Sequence, residues 1–360
     1  MKKHAALYDP YLDVLGGGEK HILEICKVLE RHGYDLSIFW DEDLSAKIKQ
    51  QLHIELEDVT FTKNIFKKNV SVIKKRRALA EYDVLFYVTD GSYFFSSAKK
   101  TVVFCMVPKR ELYHMNLFNR VKTMNQQFVC NSHYTQVKLA QWGVHAQTIY
   151  PYLENEWVRM PIDKLTKEPM ILVAGRFFKH LHAKRQDVAI AWFKDLQRVP
   201  RFRDFRLVLV GGMKDEDAPY VEELKTMIGN TNAIEIHTNV DFVKLKTYYQ
   251  KALFYWHFAG YEVDERAHPE NAEHLGITPL EAMSAGCIPC AYKLGGPTEI
   301  IRHNETGILF KQQNELFSAM EELVDNREKQ AKMRRKAKEF VKNTFSYEVF
   351  EKRVVEVLEL

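Results

Sequence analysis

The 360-residue chain contains no run of about 18 consecutive apolar residues, the length that a helix needs to cross a bilayer. The sequence therefore predicts no transmembrane helix. Charged residues and proline interrupt the first 20 residues, so a signal peptide is not expected. Internal repeats and low-complexity tracts are missing as well. These absences favour a globular protein of the cytoplasm.

Cysteine is scarce. The chain has five cysteines, an odd number that excludes a fully paired disulfide framework. Three of them are isolated within apolar segments. Cys287 and Cys290 have the spacing of a redox motif, but they follow a predicted helix instead of opening one. We expect all five to be reduced thiols in the core, as is usual in a cytosolic protein.

The net charge of +4 is too small to indicate a nucleic-acid partner. One segment departs from this balance: Lys63–Arg77 holds seven basic residues and no acidic ones, interleaved with apolar residues. Such a segment can contact an anionic membrane face through charge and partial insertion. A solvated basic surface is the alternative. The expected location therefore includes the inner face of a membrane.

Short apolar runs alternate with amphipathic segments along the first half of the chain. The predicted strands cover residues 4–8, 34–40, 82–88, 101–107, 127–130 and 147–152. The predicted helices cover residues 19–33 and 132–143, and each ends at a glycine. This alternation is typical of a doubly wound, mainly parallel sheet.

A polar stretch at residues 153–169 interrupts the alternation, which then resumes. Further strands are predicted at residues 170–175, 205–212, 233–237, 253–258 and 287–292. We therefore predict two Rossmann-like domains, at residues 1–158 and 159–344, with a helix of about residues 345–360 packing back on the first. The fold class is α/β, and the default ligand site is a central cleft between the two sheets.

Glycines and charged side chains follow the predicted strands of the second half. Gly175 and Arg176 follow the first of these strands, and Lys184 comes shortly afterwards. Gly211 and Gly212 follow the second strand. Taken singly, each feature is equally consistent with a turn or a surface charge. Together they place bare backbone and two cations at one sheet edge, which suits a diphosphate.

The stretch "EHLGITPLEAMSAG" places two carboxylates, Glu273 and Glu281, around the start of a helix. One interpretation is local. Thr278 would cap the helix, Pro279 would be its first residue and Glu281 would complete a capping box. The other interpretation is that both carboxylates bind a ligand.

Four long segments resemble the retaining glycosyltransferases of family 4, which have the GT-B fold. They are "DPYLDVLGGGEKHILEICKVLERHGYDLSIF", "VAGRFFKHLHAKRQD", "EHLGITPLEAMSAGCIP" and "LGGPTEIIRHNETGILF". The third resembles the Glu-x7-Glu signature of the family, and the resemblance covers nearly the whole chain. "EHLGI" and the Gly-rich start are most similar to mannosyltransferases that extend lipid-linked oligosaccharides with GDP-mannose.

The resemblance implies which residues bind each part of the donor. Arg176 and Lys184 would hold the diphosphate, and Glu281 would accept hydrogen bonds from the ribose. Glu273 would contact the hydroxyls of the donor sugar. The remaining donor-binding positions would act mainly through their backbone: Gly16, Gly17, Gly18, Gly211, Gly212, Gly276, Ile277 and Thr278.

The resemblance also implies the reaction. The co-substrate would be GDP-mannose or a UDP-sugar, and the acceptor a glycan or a lipid-linked glycan. Transfer with retention needs no dedicated base, because the leaving phosphate can take the acceptor's proton. We expect no metal site and no further cofactor.

Two departures from the family pattern affect these assignments. The gap from Arg176 to Lys184 is long, so Lys179 competes for the phosphate role. Many relatives carry a histidine where this chain has Cys105–Val107. Three histidines near the predicted site are further candidates: His257, His268 and His274.

Several alternatives remain open. A UDP-sugar transferase would use the same motifs, as would a nucleotide-sugar epimerase or a non-catalytic nucleotide-sugar-binding protein. Asp41–Asp43 and Asp215–Asp217 both fit the Asp-x-Asp pattern of GT-A enzymes, but the rest of that pattern is missing. An NAD enzyme is not favoured, since the glycines at 16–18 lack the G-x-G-x-x-G spacing.

Overall fold

The structure is a computed structural model that describes residues 2–56, 58–162, 165–179 and 183–360. Two compact units divide the chain. The first contains residues 2–151 and 350–360, and the second contains residues 152–349. In the described residues, no helix combines the length and the apolarity that crossing a membrane requires.

The first unit is built on a seven-stranded sheet. Its strands are β1 (Lys3–Tyr8), β2 (Tyr34–Phe39), β3 (Val59–Thr62), β4 (Val84–Val88), β5 (Lys100–Cys105), β6 (Gln126–Cys130) and β7 (Ala146–Thr148). Its helices are α1 (Gly17–Arg31), α2 (Ser45–Leu52), α3 (Val72–Leu79), α4 (Leu117–Thr123) and α5 (His133–Gln141). All neighbouring strands are parallel, in the order β3-β2-β1-β4-β5-β6-β7.

The second unit has a six-stranded sheet. Its strands are β8 (Glu168–Ala174), β9 (Arg206–Gly211), β10 (Ile234–Thr238), β11 (Ala252–His257), β12 (Ile288–Tyr292) and β13 (Ile308–Phe310). Its helices are α6 (Asn155–Val158), α7 (Gln186–Leu196), α8 (Ala218–Ile228), α9 (Phe242–Lys251), α10 (Ile277–Ser284), α11 (Pro297–Ile300), α12 (Gln313–Val324) and α13 (Arg327–Phe345). The strands are again parallel, in the order β10-β9-β8-β11-β12-β13.

The last helix, α14 (Tyr347–Leu358), belongs mostly to the first unit. Arg353 Nε donates a hydrogen bond to Thr148 O at 3.0 Å, and Gln127 Nε2 donates one to Val357 O at 2.7 Å. The side chain of Val354 is fully buried. The end of the chain is therefore packed beside β6 and β7.

The predicted α/β fold is confirmed, with two parallel sheets flanked by helices. The five cysteines are all buried and free, as expected. In each sheet the strand order reverses at one place, between β1 and β4 and between β8 and β11. Parallel sheets bind ligands beyond the carboxyl ends of their strands at such reversals. Both reversals are therefore candidate sites.

Candidate active site

Lys184, Glu273 and His257 meet beyond the carboxyl ends of β8 and β11. Lys184 Nζ donates to Glu273 Oε2, and each of these two side chains is only 15% exposed. His257, the last residue of β11, is 1% exposed, and its Nε2 lies 3.2 Å from the same Glu273 oxygen. That contact is an ion-pair distance without the alignment of a regular hydrogen bond. A lysine and a histidine thus face one oxygen of a nearly buried carboxyl group.

The charged and polar groups around Glu273 keep its side chain ionised. Burial by itself raises the pKa of Glu273, but the charge of Lys184 and the contact with His257 outweigh it, so this pKa lies well below its usual range. Burial lowers the pKa of His257, and the charge of Lys184 acts in the same direction. Near neutral pH the cluster therefore contains an ionised glutamate and a neutral imidazole.

Two glycines make room for Lys184. Gly175 has φ of +152°, and a Cβ atom there would lie 2.6 Å from Lys184 Cγ. A Cβ on Gly211 would lie 1.9 Å from Gly175 O. The end of β9 can approach Gly175 this closely only because Gly211 lacks a side chain. Gly211 thus acts through packing. Gly212 is exposed, and its O accepts a hydrogen bond from Phe177 N at 2.9 Å.

The segment after β12 supports the backbone of Glu273. Gly296 N donates to Glu273 O at 2.7 Å. A Cβ on Gly296 would lie 2.2 Å from Leu275 Cα, and one on Gly295 would lie 2.3 Å from Glu273 O. The two glycines therefore let one loop lie directly against the other, which fixes the position from which the Glu273 side chain extends.

Of the two interpretations of Thr278 and Glu281, the capping box is wrong. Helix α10 begins at Ile277, and Gly276 is its N-cap with φ of +106°. The left-handed conformation of Gly276 turns the chain into the helix before Thr278 is reached. Thr278 therefore lies within the first turn, and its Oγ1 has no hydrogen-bonding partner in the described part of the chain. The backbone of Gly276, Ile277 and Thr278 does form the helix start, as predicted.

Glu281 instead bonds to a residue that sequence reasoning missed. Tyr249 OH on α9 donates to Glu281 Oε2 at 2.8 Å. Burial raises the pKa of Tyr249 far above its usual range, and the charge of Glu281 adds to the effect, so the hydroxyl remains a donor. Tyr249 is fully buried and Glu281 is half-buried. The carboxylate is thus oriented by a rigid partner. Nothing in the sequence pattern links Tyr249 to Glu281, which lies 32 residues further along the chain.

The basic residues between β8 and α7 occupy different surroundings. Arg176 is exposed, and its guanidinium lies 4.9 Å from the ring centre of Phe178. Lys179 forms an exposed ion pair with Glu223 on α8. Lys184, in contrast, reaches Glu273. Lys184 therefore lies in the cluster with Glu273 and His257, whereas Lys179 is paired with Glu223.

The Gly-rich loop of the first unit has acidic surroundings. Gly16 N donates to Glu19 Oε2 at 2.6 Å, and Gly16 is the N-cap of α1. A Cβ on Gly18 would lie 2.2 Å from Met106 Sδ, so the methionine packs directly on this glycine. Gly17 is exposed with nothing near its Cβ position. Asp9, the residue after β1, is buried nearby.

The remaining histidine and carboxylate candidates have local partners. His268 is exposed and lies 3.3 Å from Glu270, and His274 Nε2 lies 3.2 Å from Glu270 O. Asp41 forms an ion pair with Lys67. Asp217 accepts a hydrogen bond from Lys214 N at 3.0 Å. Among the residues that the structure describes, no group of three or more histidine, cysteine, aspartate or glutamate side chains is arranged to hold a metal ion.

Comparisons with known proteins identify the family of the chain. The family model described as "Glycosyl transferases group 1" matches residues 158–340, just over half of the chain. A "GDP-Man:Man(3)GlcNAc(2)-PP-Dol alpha-1,2-mannosyltransferase" of Dictyostelium discoideum is 28% identical over 231 residues, which cover 62% of this chain and 44% of that protein. An "Alpha-1,3/1,6-mannosyltransferase ALG2" of Rhizomucor pusillus is 24% identical over 234 residues, covering 58% of this chain and 51% of its own. The chain thus spans about half the length of these curated relatives.

Solved structures share the fold over the whole chain. A glycosyltransferase from Rickettsia africae has a TM-score of 0.74 at 18% identity, covering 99% of both chains. A sucrose-phosphate synthase from Thermosynechococcus elongatus has a TM-score of 0.67 at 16% identity, covering 99% of this chain and 98% of that one. At such identities the likeness shows the fold alone, which is GT-B. With its fold, its match over residues 158–340 and these relatives, the chain belongs to the glycosyl transferases group 1 family.

Proposed function

We propose that this chain transfers mannose from GDP-mannose to a glycan or a lipid-linked glycan, with retention of configuration. The observation that carries the proposal is the ionised Lys184–Glu273 pair beside the start of α10, with Glu281 oriented one turn further along the helix. The choice of donor is supported by the two relatives named above, a GDP-Man-dependent mannosyltransferase of Dictyostelium discoideum and a mannosyltransferase of Rhizomucor pusillus.

The donor would lie along the carboxyl edge of β8 and β11. Glu281, held by Tyr249, accepts hydrogen bonds from the ribose hydroxyls. The backbone N–H groups at the start of α10 and the exposed Arg176 hold the diphosphate. Lys184 either bridges Glu273 and the phosphates or turns towards the phosphates, since an ammonium has three donors. Glu273 then accepts hydrogen bonds from the hydroxyls of the sugar.

Transfer breaks the bond between C1 of the sugar and the phosphate oxygen, while the acceptor hydroxyl forms its bond to C1 on the same face. The departing phosphate takes the proton of that hydroxyl, which balances the charges without a protein base. Lys184 and Arg176 stabilise the negative charge that develops on the nucleoside diphosphate, which is preorganised electrostatic catalysis. We propose that these cations suffice and that no divalent metal is required.

The proposal is tested by following the release of GDP from GDP-mannose, with and without methyl α-mannoside as acceptor. We expect acceptor-dependent release that gives a disaccharide and persists in EDTA. Glu273→Gln should reduce the rate by about a hundred-fold. Conversion of GDP-mannose to another sugar nucleotide in the absence of acceptor would indicate an epimerase. Tight binding of GDP-mannose without turnover would indicate a binding protein. Either result would contradict the proposal, as would transfer from UDP-glucose alone.

We further propose that the first unit contacts an anionic membrane peripherally. Within Lys63–Arg77, Ile65 packs inward, but Val72 and Ile73 at the start of α3 are 66% and 76% exposed. A second apolar surface lies on and beside α4, where the exposed side chains are Leu117, Phe118, Val121 and Met124. Exposed apolar side chains among lysines and arginines suit an interfacial position.

A further inference from the structure

The first residue of α7, Gln186, is a polar side chain buried within the second unit. Only 1% of it is exposed, and it comes two positions after Lys184 in the chain. Its Nε2 donates a hydrogen bond to Arg176 O at 3.1 Å, and Gly175 O lies within reach of the same group at 3.4 Å. The buried amide therefore binds the two backbone carbonyls that directly follow β8.

These hydrogen bonds join the two ends of one loop. The loop leaves β8 at Gly175 and ends at Arg185, immediately before α7. It carries Arg176 near its start and Lys184 near its end, the two cations to which we assign the diphosphate. Gln186 binds a carbonyl ten positions earlier in the chain, so its side chain holds the two ends of the loop together.

A tyrosine of α8 fixes the orientation of this amide. Tyr220 OH donates to Gln186 Oε1 at 3.3 Å, and the longer contact of the same hydroxyl is to Asp187 Oδ1 at 3.5 Å. Burial raises the pKa of Tyr220 far above its usual range, and the charge of Asp187 raises it further, so the hydroxyl keeps its proton. Carbonyl oxygens can only accept hydrogen bonds, so the NH₂ group of the amide must face them while its oxygen faces Tyr220.

The residue between Lys184 and Gln186 has an unfavourable backbone conformation. Arg185 has φ of +51°, in the left-handed region that residues with a side chain rarely adopt. Its Nε and Nη2 each donate to the Asp187 carboxylate at 3.1 Å, and its Nη1 donates to Tyr261 O at 3.2 Å. Such a conformation persists only where the surrounding contacts enforce it. The direction of the backbone between Lys184 and α7 is therefore fixed.

The turn after β8 is held on two sides. Phe177 N donates to Gly212 O at 2.9 Å, which attaches the turn to the chain just beyond β9. Gln186 binds the carbonyls of the same turn from the side of α7. Without this donor, buried carbonyl oxygens are left short of a hydrogen bond unless the turn rearranges. Arg176 belongs to the turn and would move with it.

We propose that Gln186 is a positioning residue of the donor site, because it fixes the loop that presents Arg176 and Lys184 to the diphosphate. This role rests on the proposed glycosyl transfer and belongs to a residue that does not touch the substrate. A loop that is already in place loses little conformational freedom when the ligand binds, so the affinity for the diphosphate is higher. The nucleoside, which we assign to Glu281 on α10, should not depend on Gln186.

Calorimetric titration of the full chain with GDP, UDP and guanosine tests the proposal. In Gln186→Glu, a carboxylate would face the two carbonyls and could not donate to them. At pH 8 this variant should bind GDP about ten-fold more weakly than the wild type, as expected when a buried hydrogen bond is lost and the loop is displaced. Guanosine has no phosphate, so its affinity should be unchanged, which also shows that the variant is folded.

The pH dependence separates positioning from a general loss of structure. The introduced carboxyl group would be buried among carbonyls, which raises its pKa, and once protonated it can again donate to Arg176 O. The GDP affinity of Gln186→Glu, relative to the wild type at the same pH, should therefore recover between pH 8 and pH 5. Gln186→Leu cannot donate at any pH, so its loss of affinity should not recover.

The neighbouring ionisable groups do not account for such a recovery. They are Tyr220 on α8, which keeps its proton, and Asp187 on α7, which is paired with Arg185. Any change in Asp187 or in the phosphates of GDP is shared by the wild type at the same pH. The relative affinity therefore reports the introduced carboxyl group.

Gln197→Glu is the matched control, because Gln197 at the other end of α7 also donates to a backbone carbonyl, Phe205 O at 3.5 Å. It should leave the affinity for GDP unchanged. Wild-type GDP affinity in Gln186→Leu, equal losses for GDP and guanosine, or a loss in Gln186→Glu that persists at pH 5 would overturn the proposal.

The second nucleotide keeps this proposal distinct from the proposed donor. A wild type that binds UDP but not GDP would contradict GDP-mannose as donor, and the same comparison with UDP and uridine would then decide the role of Gln186. A wild type that binds neither diphosphate would overturn both proposals.

Discussion

Glu273 forms an ion pair within the fold that the amino-acid sequence does not reveal. It lies outside α10 and caps nothing, so the sequence predicts that Glu273→Gln leaves the melting temperature almost unchanged. The structure shows instead that Glu273 is the partner of Lys184 and that both side chains are 85% or more buried. The structure therefore leads us to expect a loss of stability, which the sequence does not indicate because the ion pair joins residues 89 positions apart in the chain.

Glu273→Gln should therefore lower the free energy of unfolding by about 1–3 kcal/mol, since it leaves the nearly buried Lys184 without its counter-charge. Glu223→Gln is the control, because the Lys179–Glu223 pair is more than half exposed and should contribute less than about 1 kcal/mol. Urea unfolding of both variants measures the difference. Equal stability of the two variants would show that the Lys184–Glu273 pair has no structural role.

A substitution of Glu281 should change the binding of the nucleoside diphosphate without changing the folding of α10. Because Glu281 is not part of a capping box, Glu281→Gln should hardly affect the helix. It should raise the dissociation constant of GDP about ten-fold by weakening the hydrogen bonds to the ribose. Tyr249→Phe should weaken GDP binding in the same direction by releasing the carboxylate. Tyr248→Phe, on the same helix but stacked on His237, should be silent. Calorimetric titration that finds all three variants equal to the wild type would exclude this role of Glu281.

The raised pKa of Asp9 makes a prediction about stability and pH. Burial raises this pKa to about 7 in the folded chain, against 3.8 ordinarily, so the folded state holds the proton more tightly than the unfolded state. The resulting stabilisation is complete below about pH 4 and is lost as the pH rises to 7. Asp9→Asn cannot ionise, so its stability relative to the wild type should increase from pH 5 to pH 8, by about 2–3 kcal/mol. Urea unfolding at both pH values is the measurement, and a pH-independent difference would contradict it.

Among the secondary-structure elements, hydrophobic pattern and turn residues were sufficient to predict α1, α5 and the strands of five or more residues. The Ser132 cap and the Gly143 stop predict α5, which runs from His133 to Gln141, and the Ser132 hydroxyl does accept a hydrogen bond from Thr135 N. Short elements escaped prediction. β13 has three residues and β3 has four, too few to show a period, and tertiary pairing determines them.

The helix start at the site escaped prediction for a different reason. The pair Thr278–Pro279 carries a strong local signal for a cap, yet Gly276 turns the chain into α10 two residues earlier. The motif residues themselves were found from the sequence. Tyr249, which orients Glu281, comes from a distant segment and carries no local pattern. His257 was a candidate from the sequence, but only the folded chain shows its contact with Glu273.

The close approach at Gly175 predicts a specific loss of function. In Gly175→Ala the new Cβ would meet Lys184 Cγ at 2.6 Å, so the lysine must move away from Glu273. GDP should bind at least ten-fold more weakly, because Lys184 no longer stands where the diphosphate is expected. Gly229→Ala is the control: it also has positive φ, but nothing lies within 4 Å of the new atom. Backbone strain should destabilise both variants similarly, so unchanged GDP affinity in Gly175→Ala would contradict the assignment.

At the scale of the whole molecule, the exposed apolar residues around α4 predict binding to membranes. Leu117 and Met124 are 81% and 76% exposed, so replacing both with serine should hardly change folding stability. The double variant should bind anionic vesicles at least ten-fold more weakly, because two apolar side chains no longer insert. Neutralising Lys67, Lys68, Lys74 and Lys75 should also weaken binding and reduce its dependence on salt.

Val243→Ser in the second unit is the matched control, since Val243 is 74% exposed on α9 but lies outside both apolar surfaces. It should leave vesicle binding unchanged. Vesicle sedimentation at low and high salt provides the measurement. Equal binding of all variants, or no binding by the wild type, would show that the two surfaces are simply solvated.

We expect the second unit to hold the nucleoside diphosphate of GDP-mannose through Lys184 and Glu281 without a metal ion. Isothermal titration of the full chain with GDP-mannose and with UDP-glucose, each in EDTA, tests this central claim most directly. We expect GDP-mannose to bind in EDTA and more tightly than UDP-glucose, with at least a ten-fold loss in both Lys184→Met and Glu281→Gln. Binding only with added Mg²⁺ or Mn²⁺, a preference for UDP-glucose, or wild-type affinity in both variants would contradict the claim.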